Sequence, residues 1–168
     1  MSFSSVVVYT DGANMPKHEF KHAGSAAIAI MKPQSSEPMQ IFEWGRYLGD
    51  QTNNVAELCA IEQGIVLANS YAPGVPVEIL SDSQYCVGIF TFLRETEKWA
   101  YKAKKNVELI NRIRRIVPPI HLFQINWVRG HDGNRWNERA DEVAKFCKES
   151  QKDWTAKYWE TSAVPELV

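Results

Sequence analysis

The chain opens on short apolar runs set apart by polar punctuation. Val6 to Thr10 is a β-branched run, and Gly24 to Met31 and Ile41 to Leu48 read as two more strands, separated by Lys32-Pro33-Gln34-Ser35-Ser36-Glu37-Pro38. From Asn53 to Ser70 the period changes: Leu58, Ile61, Ile65 and Ala68 fall on one helical face, and Ala72-Pro73-Gly74 ends the helix. Val77 to Leu80 predicts a fourth strand, which turns at Ser81-Asp82-Ser83 into a helical run to about Leu93. Val107, Leu109, Ile110, Ile113 and Ile116 make Asn106 to Val117 an amphipathic helix, stopped by Pro118-Pro119. Leu122 to Val128 predicts the fifth strand. After Gly130 to Gly133, a last helix from about Arg135 carries Trp136, Ala140, Val143, Ala144 and Cys147 at helical spacing, with Asn134 as N-cap.

The order βββαβααβα predicts an α/β fold: a five-stranded mixed sheet, three antiparallel strands and then two parallel ones, with helices on both faces. One domain over residues 1–148 accounts for this pattern. Residues 149–168 form a tail without clear periodicity. Its Trp154, Tyr158 and Trp159 are expected to pack back on the domain, since exposed aromatics invite aggregation.

Composition narrows the classes. With 168 residues, 45% hydrophobic and 23% charged, the chain has the profile of one compact soluble domain. A formal net charge of -1 announces no global partner, so any electrostatic partner must meet a local patch. No apolar stretch approaches the roughly 18 residues of a membrane span, and no basic residue precedes Val6-Val7-Val8 as in a targeting segment. A cytoplasmic location is expected by default. Cys59, Cys86 and Cys147 lack metal-site or disulfide spacing and read as reduced core residues.

Four acids stand where a bland fold would rarely put them. Asp11 follows Val6 to Thr10, and Asp82 repeats that position after Val77 to Leu80. Neighbouring parallel strands that both end in Asp set two carboxylates side by side at the carboxyl edge of the sheet, where open α/β sheets build their sites. Glu57 and Asp141 border the buried stripes of two helices. Taken singly, an Asp after a strand is often a turn former, and a helical acid is usually solvated. Clustered, like charges about 4 Å apart repel by about 4 kcal/mol at an effective dielectric near 20, so the group must hold protons or a cation. All-oxygen ligands favour Mg²⁺, with Mn²⁺ as a substitute.

Taken together, Tyr9-Thr10-Asp11-Gly12, Thr52-Asn53-Asn54-Val55-Ala56-Glu57-Leu58, Ser81-Asp82-Ser83-Gln84-Tyr85 and Trp127-Val128-Arg129-Gly130-His131-Asp132-Gly133-Asn134, leading to Asn137-Glu138-Arg139-Ala140-Asp141-Glu142, resemble the type 1 ribonuclease H family. The resemblance runs from about Val6 to Cys147. It implies an endoribonuclease that cuts the RNA strand of RNA/DNA hybrids with two divalent ions, leaving 5′-phosphate and 3′-hydroxyl ends. It makes Asp11, Glu57, Asp82 and Asp141 the metal-binding acids, and His131 an aid to proton transfer or product release. Asn53, Asn54 and Gln84 match positions that contact the hybrid minor groove, a task suited to amides, which donate and accept without demanding one sequence. Thr52 and Asn106 match a pocket for a phosphate of the DNA strand.

A local patch also emerges. Arg94, Lys98, Lys102, Lys104, Lys105, Arg112, Arg114 and Arg115 face only Glu95, Glu97 and Glu108 between positions 94 and 115, a balance of +5. Trp99 and Tyr101 interleave with these cations, as in a groove joining phosphate attraction to apolar contact, and Phe92 stands just ahead of them. The resemblance makes this patch a substrate-gripping handle. The chain departs from the family in its bulky, charged loop Ala13 to His22, in a short segment between Gly88-Ile89 and Asn106-Val107, and in Phe92 where tryptophan is common, so modest hybrid affinity is expected. A monomer acting on RNA/DNA hybrid without a membrane partner is the reading. A silent hybrid-binding module and a protein-interaction domain are the rivals, although the presence of all four acids argues against the first.

Overall fold

The computed structural model describes residues 2–15, 22–130 and 132–168. Three strands, β1 (Phe3–Asn14), β2 (Ala23–Pro33) and β3 (Gln40–Gly49), form an antiparallel meander. Helix α1 (Asn53–Tyr71) crosses to β4 (Val77–Ser81), which pairs parallel with β1. Helix α2 (Gln84–Ile89), a small ribbon of β5 (Phe92–Leu93) and β6 (Lys98–Trp99), and helix α3 (Val107–Arg114) lead to β7 (Phe123–Trp127), parallel to β4. Helix α4 (Arg135–Ser150) and β8 (Trp154–Trp159) complete the fold. The main sheet runs β7-β4-β1-β2-β3-β8.

Helices cover both faces, as the order of elements predicts. On one side Val6, Val8, Ala27, Ala29 and Met31 meet Leu58, Ile61, Ile65 and Ala68 of α1, with Ile110 and Ile113 of α3 beyond. On the other, Ala26, Ile28 and Ile30 meet Ala140, Val143, Ala144 and Cys147 of α4. From Ala23 to Met31 β2 is buried throughout, which is why its sequence is a continuous apolar run rather than an alternation. Its residues are small for a second reason. A Cβ on Gly24 would fall on the Ala144 carbonyl, so α4 lies directly on the strand's backbone.

The structure corrects the strand count from five to six. β8 pairs antiparallel with β3, from Gln40 opposite Trp159 to Gly45 opposite Trp154. Trp154, Ala156 and Tyr158 turn toward the α4 side, while Lys157 lies over the Phe42 ring on the other. Only three inward positions over six residues make too short an alternation to stand out in the sequence. The second helix also stops at Ile89 rather than about Leu93. The Thr91 hydroxyl donates to the Val87 carbonyl at 2.7 Å and the Thr91 carbonyl accepts from Ala100 N–H at 2.8 Å, which turns the chain into the ribbon. α3 ends at Arg114, and the Ile116 N–H donates to the Ile113 carbonyl at 3.0 Å in a tighter turn ahead of the proline pair.

The α4 side contains a buried ionic cluster. Arg139 donates through Nε and Nη2 to the Glu43 carboxylate at 2.7 and 2.9 Å, and Trp154 Nε1 and the Tyr158 hydroxyl donate to it at 2.9 and 2.6 Å. The Glu43 side chain is wholly buried. Arg139→Met strands that carboxylate, and the expected loss is about 3–5 kcal/mol in a denaturant titration. A loss below about 1 kcal/mol would mean that the cluster is not electrostatically coupled.

Candidate active site

Register brings the first two acids together. β1 pairs with β4 from Val6 opposite Val77 to Thr10 opposite Ser81, so Asp11 and Asp82 are the next residues on adjacent parallel strands. β1 itself continues to Asn14 through its pairing with β2, so Asp11 lies within the strand rather than past its end. Strand parity then decides direction. Val6, Val8 and Thr10 point to the α1 side, while Tyr9 and Ala13 belong to the α4 side, and Asp11 shares their parity.

Glu57 arrives from the opposite face, and Gly12 makes this possible. A Cβ on Gly12 would stand 2.5 Å from Glu57 N and 2.7 Å from the Ala56 carbonyl carbon, so only glycine lets the first turns of α1 touch β1. The Gly12 N–H donates to Asp11 Oδ1 at 2.9 Å and also serves the Glu57 carboxylate. Thr52 caps α1, its hydroxyl accepting from Val55 N–H at 3.2 Å, which orients the turn that carries Glu57. Gly12→Ala forces α1 off the strand. The expected result is a loss of about 1–3 kcal/mol in thermal melting together with impaired catalysis, and an unperturbed melt would contradict this packing.

Asp11, Glu57 and Asp82 present carboxylate oxygens all within 4.8 Å of one another. Asp141, from α4, stands outside that trio but near enough for its charge to raise the proton affinity of Asp11. Asp11 is 6% and Glu57 4% exposed. Burial first, then the charges of Asp82 and Asp141, hold the Asp11 carboxyl far above the usual carboxylate range. Burial and the charges of Asp11 and Asp82 do the same to Glu57. Glu57 Oε2 is buried without a hydrogen-bond partner, although buried polar atoms are almost always paired. An unpartnered carboxyl oxygen facing two other acids fits a divalent cation, and the all-oxygen donor set fits a hard one.

Two neighbours escaped the sequence reading. Lys145 Nζ lies 2.9 Å from Asp141 Oδ2, and that contact raises the lysine's proton affinity. The i, i+4 spacing was its available signal. A Cβ on Gly130 would come within 3.0 Å of Asp82 Oδ2, so the loop after β7 passes against this acid. His131 lies outside the described residues.

The other predicted residues divide by role. Asn53, Asn54 and Gln84 are exposed at the starts of α1 and α2, the helices that follow the site's loops. Asn106 precedes α3 in a left-handed conformation and makes no side-chain cap. Glu62 on α1 holds Arg112, and Asn69 donates to the Ile116 carbonyl, so α1 and α3 run in the same sense with Thr52 and Asn106 at the same end. Within the handle, Lys98, Lys102, Lys104 and Lys105 are exposed. Phe92 and Trp99 instead pack edge to face at 5.3 Å, and the Arg114 guanidinium covers the Trp99 ring at 4.9 Å. Arg114 also donates to the Ile89 and Tyr101 carbonyls, and the bidentate Glu62 pair neutralises Arg112. These two arginines build the handle, and the four lysines present its charge.

Comparison with known proteins agrees with this geometry. A family model for RNase H matches residues 4–148. The ribonuclease H of Pseudomonas aeruginosa is 33% identical over 145 residues, covering 83% of this chain and 90% of that protein. That of Clostridium botulinum is 27% identical over 146 residues, covering 83% and 92%. In fold, the chain is similar to LC9-RNase H1, a type 1 RNase H with the type 2 active-site motif, at a TM-score of 0.77 and 20% identity, covering 96% of this chain and 80% of that one. LC11-RNase H1, solved in complex with RNA/DNA hybrid, gives a TM-score of 0.60 at 20% identity, covering 87% and 98%. By the extent of the family match and by the order of its acids on the sheet, the chain belongs to the ribonuclease H family.

Proposed function

We propose that this protein is an endoribonuclease hydrolysing the RNA strand of RNA/DNA hybrids, with Asp11, Glu57, Asp82 and Asp141 holding divalent ions, Mg²⁺ first and Mn²⁺ as a substitute. The observation that carries this reading is the convergence of three carboxylates from β1, α1 and β4 within 4.8 Å, one of them with a buried oxygen that has no partner. Two bound ions would supply positive charge where an in-line displacement builds negative charge on the attacking and leaving oxygens. The carboxylates' own part is to fix that charge in place, and burial keeps the site's dielectric low enough for it to count.

The remaining residues orient the polymer. Exposed Asn53, Asn54 and Gln84 offer donors and acceptors to 2′-hydroxyls and base edges, which is how a protein tells RNA from DNA without reading sequence. Thr52 and Asn106, at the same end of α1 and α3, suit a backbone phosphate. The lysine handle attracts further phosphates. A monomer is the proposed working state.

One assay tests the reading: labelled hybrid, duplex RNA, duplex DNA and single strands are incubated with Mg²⁺, Mn²⁺ or chelator. Only the RNA of the hybrid is cut, and only with a divalent ion. Binding of hybrid without cleavage under any divalent ion would favour the silent module. The handle has its own readout. Alanine at Lys98, Lys102, Lys104 and Lys105 together makes the salt dependence of hybrid affinity shallower by about 2 or more in log–log slope. An unchanged slope would remove these lysines from the interface.

A further inference from the structure

The Glu43–Arg139 cluster lies across α4 from the acids, and stability alone gives a weak reason for it. A buried ion pair loses much of its attraction to desolvation, and apolar residues of similar volume often serve as well. Its placement is more informative. Arg139 and Asp141 are two residues apart on α4, about 200° around the helix, so they stand on opposite flanks. The Arg139 flank meets β3 and β8 through Glu43, Trp154 and Tyr158. The Asp141 flank faces β1, whose Tyr9 and Ala13 pack into the α4 cluster and share the parity of Asp11, and the charge of Asp141 bears on that acid. Between the flanks α4 rests on Gly24 through Ala144 and on Gly45 through Val143 and Cys147, in one cluster with Ile28, Ile30 and Ile41. The close approach at Gly24 fixes the distance of α4 from the sheet, and the fork adds a directional contact on one flank.

We propose that the Arg139–Glu43 fork sets the roll of α4, and so holds Asp141 where it can share a divalent ion with Asp11; Arg139 is a positioning residue, with β8 and the chain's end as its anchor. The guanidinium's bidentate geometry defines an angle as well as a distance. Its Nη2 also donates to the Pro165 carbonyl at 2.8 Å, so residues past β8 join the brace. The lever is sensitive. A roll of roughly 10° on a side-chain radius of about 5–6 Å moves a carboxylate by about 1 Å, whereas ion coordination tolerates about 0.2 Å.

This inference rests on the reading of Asp141 as a ligand, and the experiment separates the two. Mn²⁺ alone is titrated calorimetrically into the full chain and into Arg139→Lys, Tyr158→Phe, Asp141→Asn and Ile30→Val, the last loosening the same packed face without touching the cluster. Asp141→Asn and Arg139→Lys each weaken Mn²⁺ binding about tenfold, Tyr158→Phe shifts it in the same direction, and Ile30→Val leaves it unchanged. In cleavage assays of Arg139→Lys, the Mn²⁺ concentration for half-maximal rate rises while KM for hybrid stays constant. If Asp141→Asn weakens binding but Arg139→Lys and Tyr158→Phe do not, the cluster only stabilises the fold and the inference fails. If Asp141→Asn binds Mn²⁺ normally, the reading of Asp141 as a ligand fails instead. Should Arg139→Lys not fold, Tyr158→Phe alone decides, because it removes one hydroxyl and no charge.

Discussion

Asp11→Asn lowers hybrid cleavage by on the order of 10³ or more, equivalent to about 4 kcal/mol of transition-state stabilisation, because it removes one anion from the centre of the charge cluster. Asp11 is the acid to which the others relate: it neighbours Asp82 across the parallel strands, feels the charge of Asp141 and shares the Gly12 amide with Glu57. The amide keeps the shape of the side chain, so β1 and its pairing with β2 remain. The metal-free variant should also melt at a higher temperature than wild type at pH 8, since the like charges around this buried carboxyl no longer oppose one another. Single-turnover cleavage of labelled RNA, hybrid binding without divalent ion, and melting in chelator measure the three effects. Cleavage within tenfold of wild type would remove Asp11 from the chemistry. A lower melting temperature in chelator would show that the acids do not repel in the folded state.

The second large effect is a pH dependence that appears only without metal. Asp11 and Glu57 bind protons more tightly in the folded chain than their ordinary values of 3.8 and 4.5 predict. For groups raised in this way, stability is greatest below the unfolded value and is lost as pH climbs toward the folded one. The metal-free protein therefore becomes less stable between about pH 5 and pH 8. At least about 2 kcal/mol is expected, or roughly 4–8 °C in melting temperature. Divalent ions replace the protons and flatten the curve, so the melting difference between ion-saturated and chelated protein grows with pH across that window. Calorimetry of ion binding at pH 7 in buffers of different ionisation enthalpy should show protons released. A chelated protein whose melting temperature is constant from pH 5 to pH 8 would mean that the acids stay apart in solution.

Much of the site was legible because each residue type has a local signature. Asp11 and Asp82 end predicted strands, and Glu57 and Asp141 border apolar helical faces. Their depth of burial was not legible. A helical glutamate is ordinarily solvated, and Glu57 is buried only because Gly12, on a different element, lacks the Cβ that would hold α1 away. The handle shows the converse. Eight basic residues were counted into one charged patch, yet Arg112 is held by Glu62, and Arg114 braces Trp99 and two carbonyls.

From the order of residues alone came the β-branched run of β1, the apolar run of β2, the apolar faces of α1 and α4, and the four motifs that carry the acids, because these depend on neighbours within a few positions of each other. The tertiary structure decided which faces meet. It ended α2 at Ile89 through contacts with Ala100 and Arg114, added β8 to the free edge of β3, and turned Asp11 toward α4 while Glu57 arrived from the other side. Each of those outcomes depends on a partner well separated along the chain, and the free energy of such a contact exists only once the backbone has brought the two together.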